Sequence, residues 1–174
     1  MEGKLHVYTG EGKGKTTASI GLAVRAACAG LRVYVGQFLK GGSNSESCLT
    51  EAFPDRIVME PYGRGQLLTR GKQPTGEDER LAAGGLDRLS EVLRSGDFDL
   101  VVADELNVAM HMDLFSVGEV MKVLQQRSNG VEVVVTGRYA PAVLLDAADL
   151  ITEMRELRHY FTEEGLQARK GIEF

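Results

Sequence analysis

Thr9-Gly10-Glu11-Gly12-Lys13-Gly14-Lys15-Thr16-Thr17 is the stretch whose reading decides the fold. An apolar run, Leu5 to Tyr8, leads into it, and an Ala-rich segment from Ala18 to Ala29 leaves it. Strand, glycine-rich turn, helix is the setting a phosphate-binding loop needs. Glycines let consecutive backbone N–H groups turn inward around an anion, and the helix adds its positive N-terminal end. Lys15 then offers a mobile charge to phosphate oxygens, and Thr16 a hydroxyl to Mg²⁺. The general pattern GxxxxGK[ST] wants a glycine where this chain has Thr9. Its glycine is Gly10, so the denser form GxGKGKTT is met instead.

Outward from the loop, the first helix carries Arg25 and stops at Gly30, a suitable residue just past a helix end. Arg32 to Gln37 reads as a second strand, making a βαβ unit and hence a parallel sheet. Phe38-Leu39-Lys40-Gly41-Gly42-Ser43 leaves the strand's C-terminal end, where α/β proteins place ligands. A short helix around Ser47 to Ala52 and a third strand, Ile57 to Glu60 stopped by Pro61, come next. Tyr62 to Pro74, with Arg64, Arg70 and Lys72, has no period and reads as a loop. Thr75-Gly76-Glu77-Asp78 resembles a capping box and opens a helix through Leu81, Leu86, Leu89 and Leu93.

Asp99-Leu100-Val101-Val102-Ala103-Asp104-Glu105 is the second strong signal. A buried parallel strand ends in two carboxylates, and in phosphate-loop proteins such a group anchors Mg²⁺ beside the loop's hydroxyl. Taken alone, acidic residues at a strand end are solvated turns; the loop upstream gives these their meaning. Ser116-Val117-Gly118-Glu119 caps another helix, and Val131 to Thr136 is a further strand. Pro141 then opens a helix over Val143 to Ala147. Leu150 to Met154 reads as a last core strand, and Arg155 to Phe174 as a hairpin or an ordered arm. The whole describes one α/β domain over 1–174: a mostly parallel central sheet flanked by helices, of the P-loop NTPase (RecA-like) type.

Composition fits. Across 174 residues, 43% are hydrophobic and 26% charged, ordinary for a globular chain. A net charge of −5 argues against binding nucleic acid or an anionic membrane, and requires a local positive pocket for any triphosphate. The two cysteines, Cys28 and Cys48, form no framework, so reduced thiols in a cytoplasmic protein are expected, with Cys28 in the core. The first strand begins almost at residue 1, so no signal peptide is expected, and no apolar run approaches spanning length. His6, His111 and His159 lack zinc-site spacing. His6 belongs at the sheet margin and the other two near a cleft, none as a general base. No Asn-Lys-x-Asp for reading guanine occurs.

The chain resembles the ATP:corrinoid adenosyltransferases, the cob(I)yrinic acid a,c-diamide adenosyltransferase family, over nearly its whole length. The resemblance rests on the loop and on Gln37-Phe38-Leu39-Lys40-Gly41, Asp104-Glu105-Leu106-Asn107 and Thr136-Gly137-Arg138-Tyr139-Ala140-Pro141. Ala148-Asp149-Leu150-Ile151-Thr152-Glu153-Met154 and Gly171-Ile172-Glu173-Phe174 extend it. It implies transfer of the 5′-deoxyadenosyl group of ATP to Co(I) of a reduced corrinoid, with triphosphate leaving. It also implies a homodimer using Mg²⁺ or Mn²⁺, and a flavin-dependent or flavodoxin-type reductase that supplies Co(I).

On this reading Lys15, Thr16 and Glu105 act in the reaction. Gly10, Glu11, Gly12, Lys13, Gly14, Lys15, Thr16, Thr17, Arg25, Phe38 and Arg138 hold the substrates. Thr16, Asp104 and Glu105 hold the metal. Longer members carry an N-terminal extension over the corrin and a Phe-Thr-Trp segment facing it; the corresponding region here reads Gln66-Leu67-Leu68-Thr69. The loop from Tyr62 to Lys72 and Phe38 are the candidates for that contact, although Phe38 fits a core position equally well. A phosphate-loop hydrolase or kinase, and an ATP-dependent corrinoid-binding module, are the competing readings.

Overall fold

Alternating strands and helices build a six-stranded sheet in the order β3-β2-β4-β5-β1-β6, with every neighbouring pair parallel. The computed structural model describes residues 2–41, 45–65 and 73–173. The strands are β1 (Leu5–Thr9), β2 (Val33–Phe38), β3 (Ile57–Tyr62), β4 (Leu100–Asp104), β5 (Glu132–Thr136) and β6 (Leu150–Glu153). The helices are α1 (Lys15–Cys28), α2 (Leu49–Ala52), α3 (Gly76–Ser95), α4 (Leu106–His111), α5 (Val117–Gln125), α6 (Ala142–Ala147) and α7 (Tyr160–Glu164), with a 3₁₀ turn at Ser45–Cys48.

The period of two in the strands divides the core between two faces. Val101, Ala103, Val133 and Val135 join the larger cluster, with Leu86, Leu89 and Leu93 of α3 and Val120 and Leu124 of α5. Leu100, Val102 and Val134 point the other way, onto Ala23, Ala26 and Ala27 of α1. Alanines on that face of α1 let the helix sit close to the sheet, which fixes where its N-terminus, and so the phosphate loop, must lie. Each fully buried Val or Leu contributes about 1.5–3 kcal/mol.

Both capping boxes form: Thr75 N–H donates to Asp78 Oδ2 at 3.0 Å, and Ser116 N–H to Glu119 Oε2 at 2.8 Å. Four expectations need correction. β3 runs through Pro61 to Tyr62, because β3 is an edge strand and tolerates a residue with no N–H to donate. β6 is the opposite edge rather than a core strand, and leaves Leu150 and Ile151 exposed. Cys28 is exposed in the last turn of α1. Of the two forms expected after residue 154, the described residues make an ordered arm with a short helix, α7, and not the hairpin. Among the described residues, no helix is long and apolar enough to cross a membrane.

Candidate functional site

The loop between β1 and α1 is shaped by glycines in conformations other residues rarely adopt. Gly10 has φ 93° and Gly14 φ 116°. A Cβ on Gly10 would lie 2.4 Å from the Met154 carbonyl oxygen, so the strand end after β6 presses directly on the loop. Gly12 N–H donates to that same carbonyl at 2.7 Å. Lys15, at the first turn of α1, is 7% exposed, and its Nζ donates to the Gly10 and Gly12 carbonyls at 2.7 Å each. Burial pulls the Lys15 pKa down and Arg138 adds to this; Glu105, Glu11 and Asp104 oppose it.

Beside the loop, β4 delivers Asp104, which is fully buried. Its Oδ1 accepts from Thr16 Oγ1 at 2.9 Å and Thr136 Oγ1 at 2.7 Å. Its Oδ2 accepts from Lys40 Nζ at 2.7 Å and, more weakly, from Gln37 Nε2 at 3.4 Å. The loop hydroxyl and the strand carboxylate, 88 residues apart in sequence, are thus directly bonded. Burial opposes the Lys40 ammonium, but the Asp104 charge and hydrogen bond, with Glu105 and Glu46, more than offset it and raise the Lys40 pKa.

Glu105 follows with φ 61°, a left-handed conformation that costs a non-glycine residue about 1–3 kcal/mol. Its N–H donates to Thr136 Oγ1 at 3.0 Å. That turn brings Glu105 to the cleft, where burial and the neighbouring Asp104 raise its carboxyl pKa, against Lys40, Lys15 and Arg138.

One open cleft of about 1390 Å³ gathers the loop from Glu11 to Thr17 with Lys40, Glu105 and Arg138. Arg138 pairs with Glu11 at 3.2 Å across its mouth. His111 and Tyr139 form part of the wall, their rings in contact with centroids 4.1 Å apart and planes tilted by 32°. His159 lines it too and caps α7 by accepting from Phe161 N–H at 3.0 Å, whereas His6 pairs with Glu132 at 2.7 Å inside the sheet.

Two expected substrate residues are elsewhere. Phe38 is fully buried, packed between Tyr62 and Phe115 with centroids 5.6 and 5.8 Å away, and is a core residue. Arg25 lies exposed in the last turn of α1, about 15 Å along the axis from Lys15. Arg64 is committed to the α3 capping box: its fork donates to Asp78 at 2.9 and 2.6 Å and to Thr75 Oγ1 at 2.9 Å. Arg70, Lys72 and Gln66 to Thr69 fall outside the described residues.

Sequence reasoning missed Lys40 as a site residue, although it belongs to a quoted motif at the ligand end of the sheet. It also missed that the expected arm returns to touch the phosphate loop. Lys13 Nζ donates to the Ile172 carbonyl at 2.9 Å, to Glu173 Oε1 at 3.1 Å and to Tyr160 Oη at 3.4 Å. Glu173 is bound in turn by Arg169 and Tyr160, which hold its carboxyl well below the usual range.

A hydroxyl and a buried carboxylate joined beneath a glycine loop, on an all-parallel sheet, define a P-loop nucleotide-binding protein of RecA-like fold. Residues 1–174 match the family described as ATP:corrinoid adenosyltransferase BtuR/CobO/CobP, and the chain belongs to that family. The corrinoid adenosyltransferase of Pseudomonas aeruginosa is 36% identical over 173 residues, covering 99% of this chain and 84% of that protein. That of Escherichia coli is 32% identical over 177 residues, covering 99% and 86%. The flagellar accessory protein FlaH from Methanocaldococcus jannaschii shares the fold: TM-score 0.58 at 14% identity, covering 87% of this chain and 71% of that one. The protein is therefore a transferase whose substrates are ATP and a corrinoid.

Proposed function

We propose that the protein moves the 5′-deoxyadenosyl group of ATP onto Co(I) of a reduced corrinoid such as cob(I)yrinic acid a,c-diamide or cob(I)alamin. The Co(I) electron pair forms the cobalt–carbon bond, the C5′–O5′ bond breaks, and its electrons leave with triphosphate. The observation that carries this reading is the Lys15–Thr16–Asp104 arrangement, whose Lys15 and Thr16 line the same cleft as Glu105 and Arg138 while Asp104 lies buried behind Thr16, in a chain of this family. The reacting nucleophile arrives with the second substrate, so the protein's part is positioning and stabilising the leaving group. Lys15 and the loop amides take the triphosphate oxygens, and Arg138 and Lys13 add positive charge at the rim.

A divalent cation fits the donor set. Thr16 Oγ1 and Asp104 supply hard oxygens of the kind Mg²⁺ and Mn²⁺ prefer, and an ammonium already bridges them, so the position favours positive charge. Among the described residues no three His, Cys, Asp or Glu side chains gather as a metal site, so the phosphates would complete the coordination. Thr16 and Asp104 would hold the ion, with Glu105 near it, and its chemistry is neutralising charge on the departing triphosphate. Co(I) requires an electron donor, for which a flavin-dependent or flavodoxin-type reductase is suited, and the unit works as a homodimer.

The test mixes protein, ATP, Mg²⁺ and chemically reduced corrinoid and follows the cobalt spectrum. ATP-dependent loss of Co(I) with growth of a light-sensitive alkyl-corrinoid supports transfer. Protein that binds ATP tightly yet leaves the Co(I) spectrum unchanged would favour the binding-module reading.

A further inference from the structure

Lys40 places its ammonium where the nucleotide's cation would be held. Its Nζ is 2.7 Å from Asp104 Oδ2 and 3.1 Å from Thr16 Oγ1, so one positive group spans the two side chains assigned to the metal. The placement is built in. Leu39, immediately before, is 1% exposed with φ 64°, a left-handed turn that sends the chain back over the end of β4. Gly63 packs against that turn so closely that a Cβ there would lie 2.3 Å from the Leu39 carbonyl carbon, and Gly65 N–H donates to the Leu39 carbonyl at 3.1 Å. The Lys40 side chain is 18% exposed, enough for its head to leave toward the cleft, whose wall it forms.

A divalent cation and an ammonium cannot both occupy the gap between one hydroxyl and one carboxylate, because like charges that close repel strongly. We infer that Lys40 is a positioning residue that serves as the site's own counter-ion: it holds Asp104 and Thr16 until the metal–nucleotide arrives, then exchanges with the metal and moves onto the triphosphate. The inference rests on reading Thr16 and Asp104 as the cation holders. Free metal then binds weakly, since it must displace Lys40 from the Asp104 carboxylate, its ion-pair partner, with, among the described residues, only the more distant Glu105 and Glu46 left to face the ammonium. Metal with ATP binds well, since the phosphates give the flexible four-carbon side chain a new partner. Metal and nucleotide are coupled through one lysine, and the coupling is reciprocal.

The test titrates Mn²⁺ by electron paramagnetic resonance into wild type, Lys40→Met, Lys40→Gln, Lys40→Arg and Asp104→Asn, with and without a non-reactive ATP analogue. Thermal unfolding is recorded on the same samples. Both neutral variants should bind free Mn²⁺ about tenfold tighter than wild type and lose most of the Mn²⁺–nucleotide coupling. Their melting temperature should fall without metal and recover on adding Mn²⁺. Lys40→Arg, which keeps a cation, should stay near wild type. If Lys40→Met does not fold, Lys40→Gln carries the comparison. Unchanged or weaker free Mn²⁺ binding in a folded neutral variant, with Asp104→Asn losing the metal, overturns the lysine exchange alone. Full Mn²⁺ binding by Asp104→Asn overturns the cation-site reading beneath it.

Discussion

Replacing Asp104 by Asn asks how much of the site's architecture hangs on one carboxylate. Asp104 is fully buried and accepts from Thr16, Thr136, Lys40 and Gln37. Asparagine has the same shape, and its remaining oxygen can still serve Thr16 and Thr136. Its amide nitrogen, however, would face the Lys40 ammonium and the Gln37 amide, setting donors against donors. Breaking a buried ion pair by removing one partner costs about 3–5 kcal/mol. Lys40 keeps 18% of its side chain exposed and can reach water, which favours the low end, about 3 kcal/mol. For a chain of this size that lowers Tm by roughly 6–12 °C. Urea unfolding followed by circular dichroism measures the loss, and adding Lys40→Met in the same chain should recover about 1–3 kcal/mol of it, since the stranded ammonium is then gone. Asp104→Asn unfolding within about 1 kcal/mol of wild type, or strictly additive single changes, would refute the buried-pair account.

Three further outcomes are expected. Lys15→Ala should cut the rate of adenosyl transfer about 10²–10³-fold, the range for deleting one donor to a developing anion, in a steady-state assay at saturating ATP. Glu173→Gln removes the carboxylate that partly neutralises Lys13 and should tighten ATP about two- to fivefold at low salt, the effect shrinking at high salt as calorimetric titration varies the ionic strength. Asp78, held well below the usual carboxylate range by Arg64 and by Thr75, contributes stability above its unfolded pKa that is lost as pH falls through the depressed folded value. Asp78→Asn should therefore melt lower than wild type at neutral pH, with the gap closing as acid protonates Asp78 in wild type; thermal melts across pH 2 to 7 decide it.

The β1–loop–α1 unit was legible because local chemistry alone specifies it: Gly10 and Gly14 need φ near 93° and 116°, and the chain after Gly14 has only a helix to enter. Asp104 was legible only beside that loop: a polar residue ending an apolar strand reads alone as a solvated turn, and the phosphate loop upstream gave it a role. Phe38 was not. All six residues of β2 are buried, so alternation does not distinguish the faces, and its parity is settled only by which helices cover it. Lys40 was hidden by the left-handed turn at Leu39, a backbone choice that leucine does not advertise. The arm's contact joins Lys13 to Glu173, 160 residues apart, and no periodicity encodes an ion pair at that range. Pro61 misled because its meaning depends on strand order, which makes β3 an edge.

Which bond of ATP is broken tests the central claim most directly. Protein incubated with ATP, Mg²⁺ and chemically reduced corrinoid should release intact triphosphate and adenosyl-corrinoid in equal amounts, both resolved by anion-exchange and reversed-phase chromatography. Loss of either substrate alone should stop both products. ADP and phosphate as the main products, with the corrinoid unalkylated, would contradict the account.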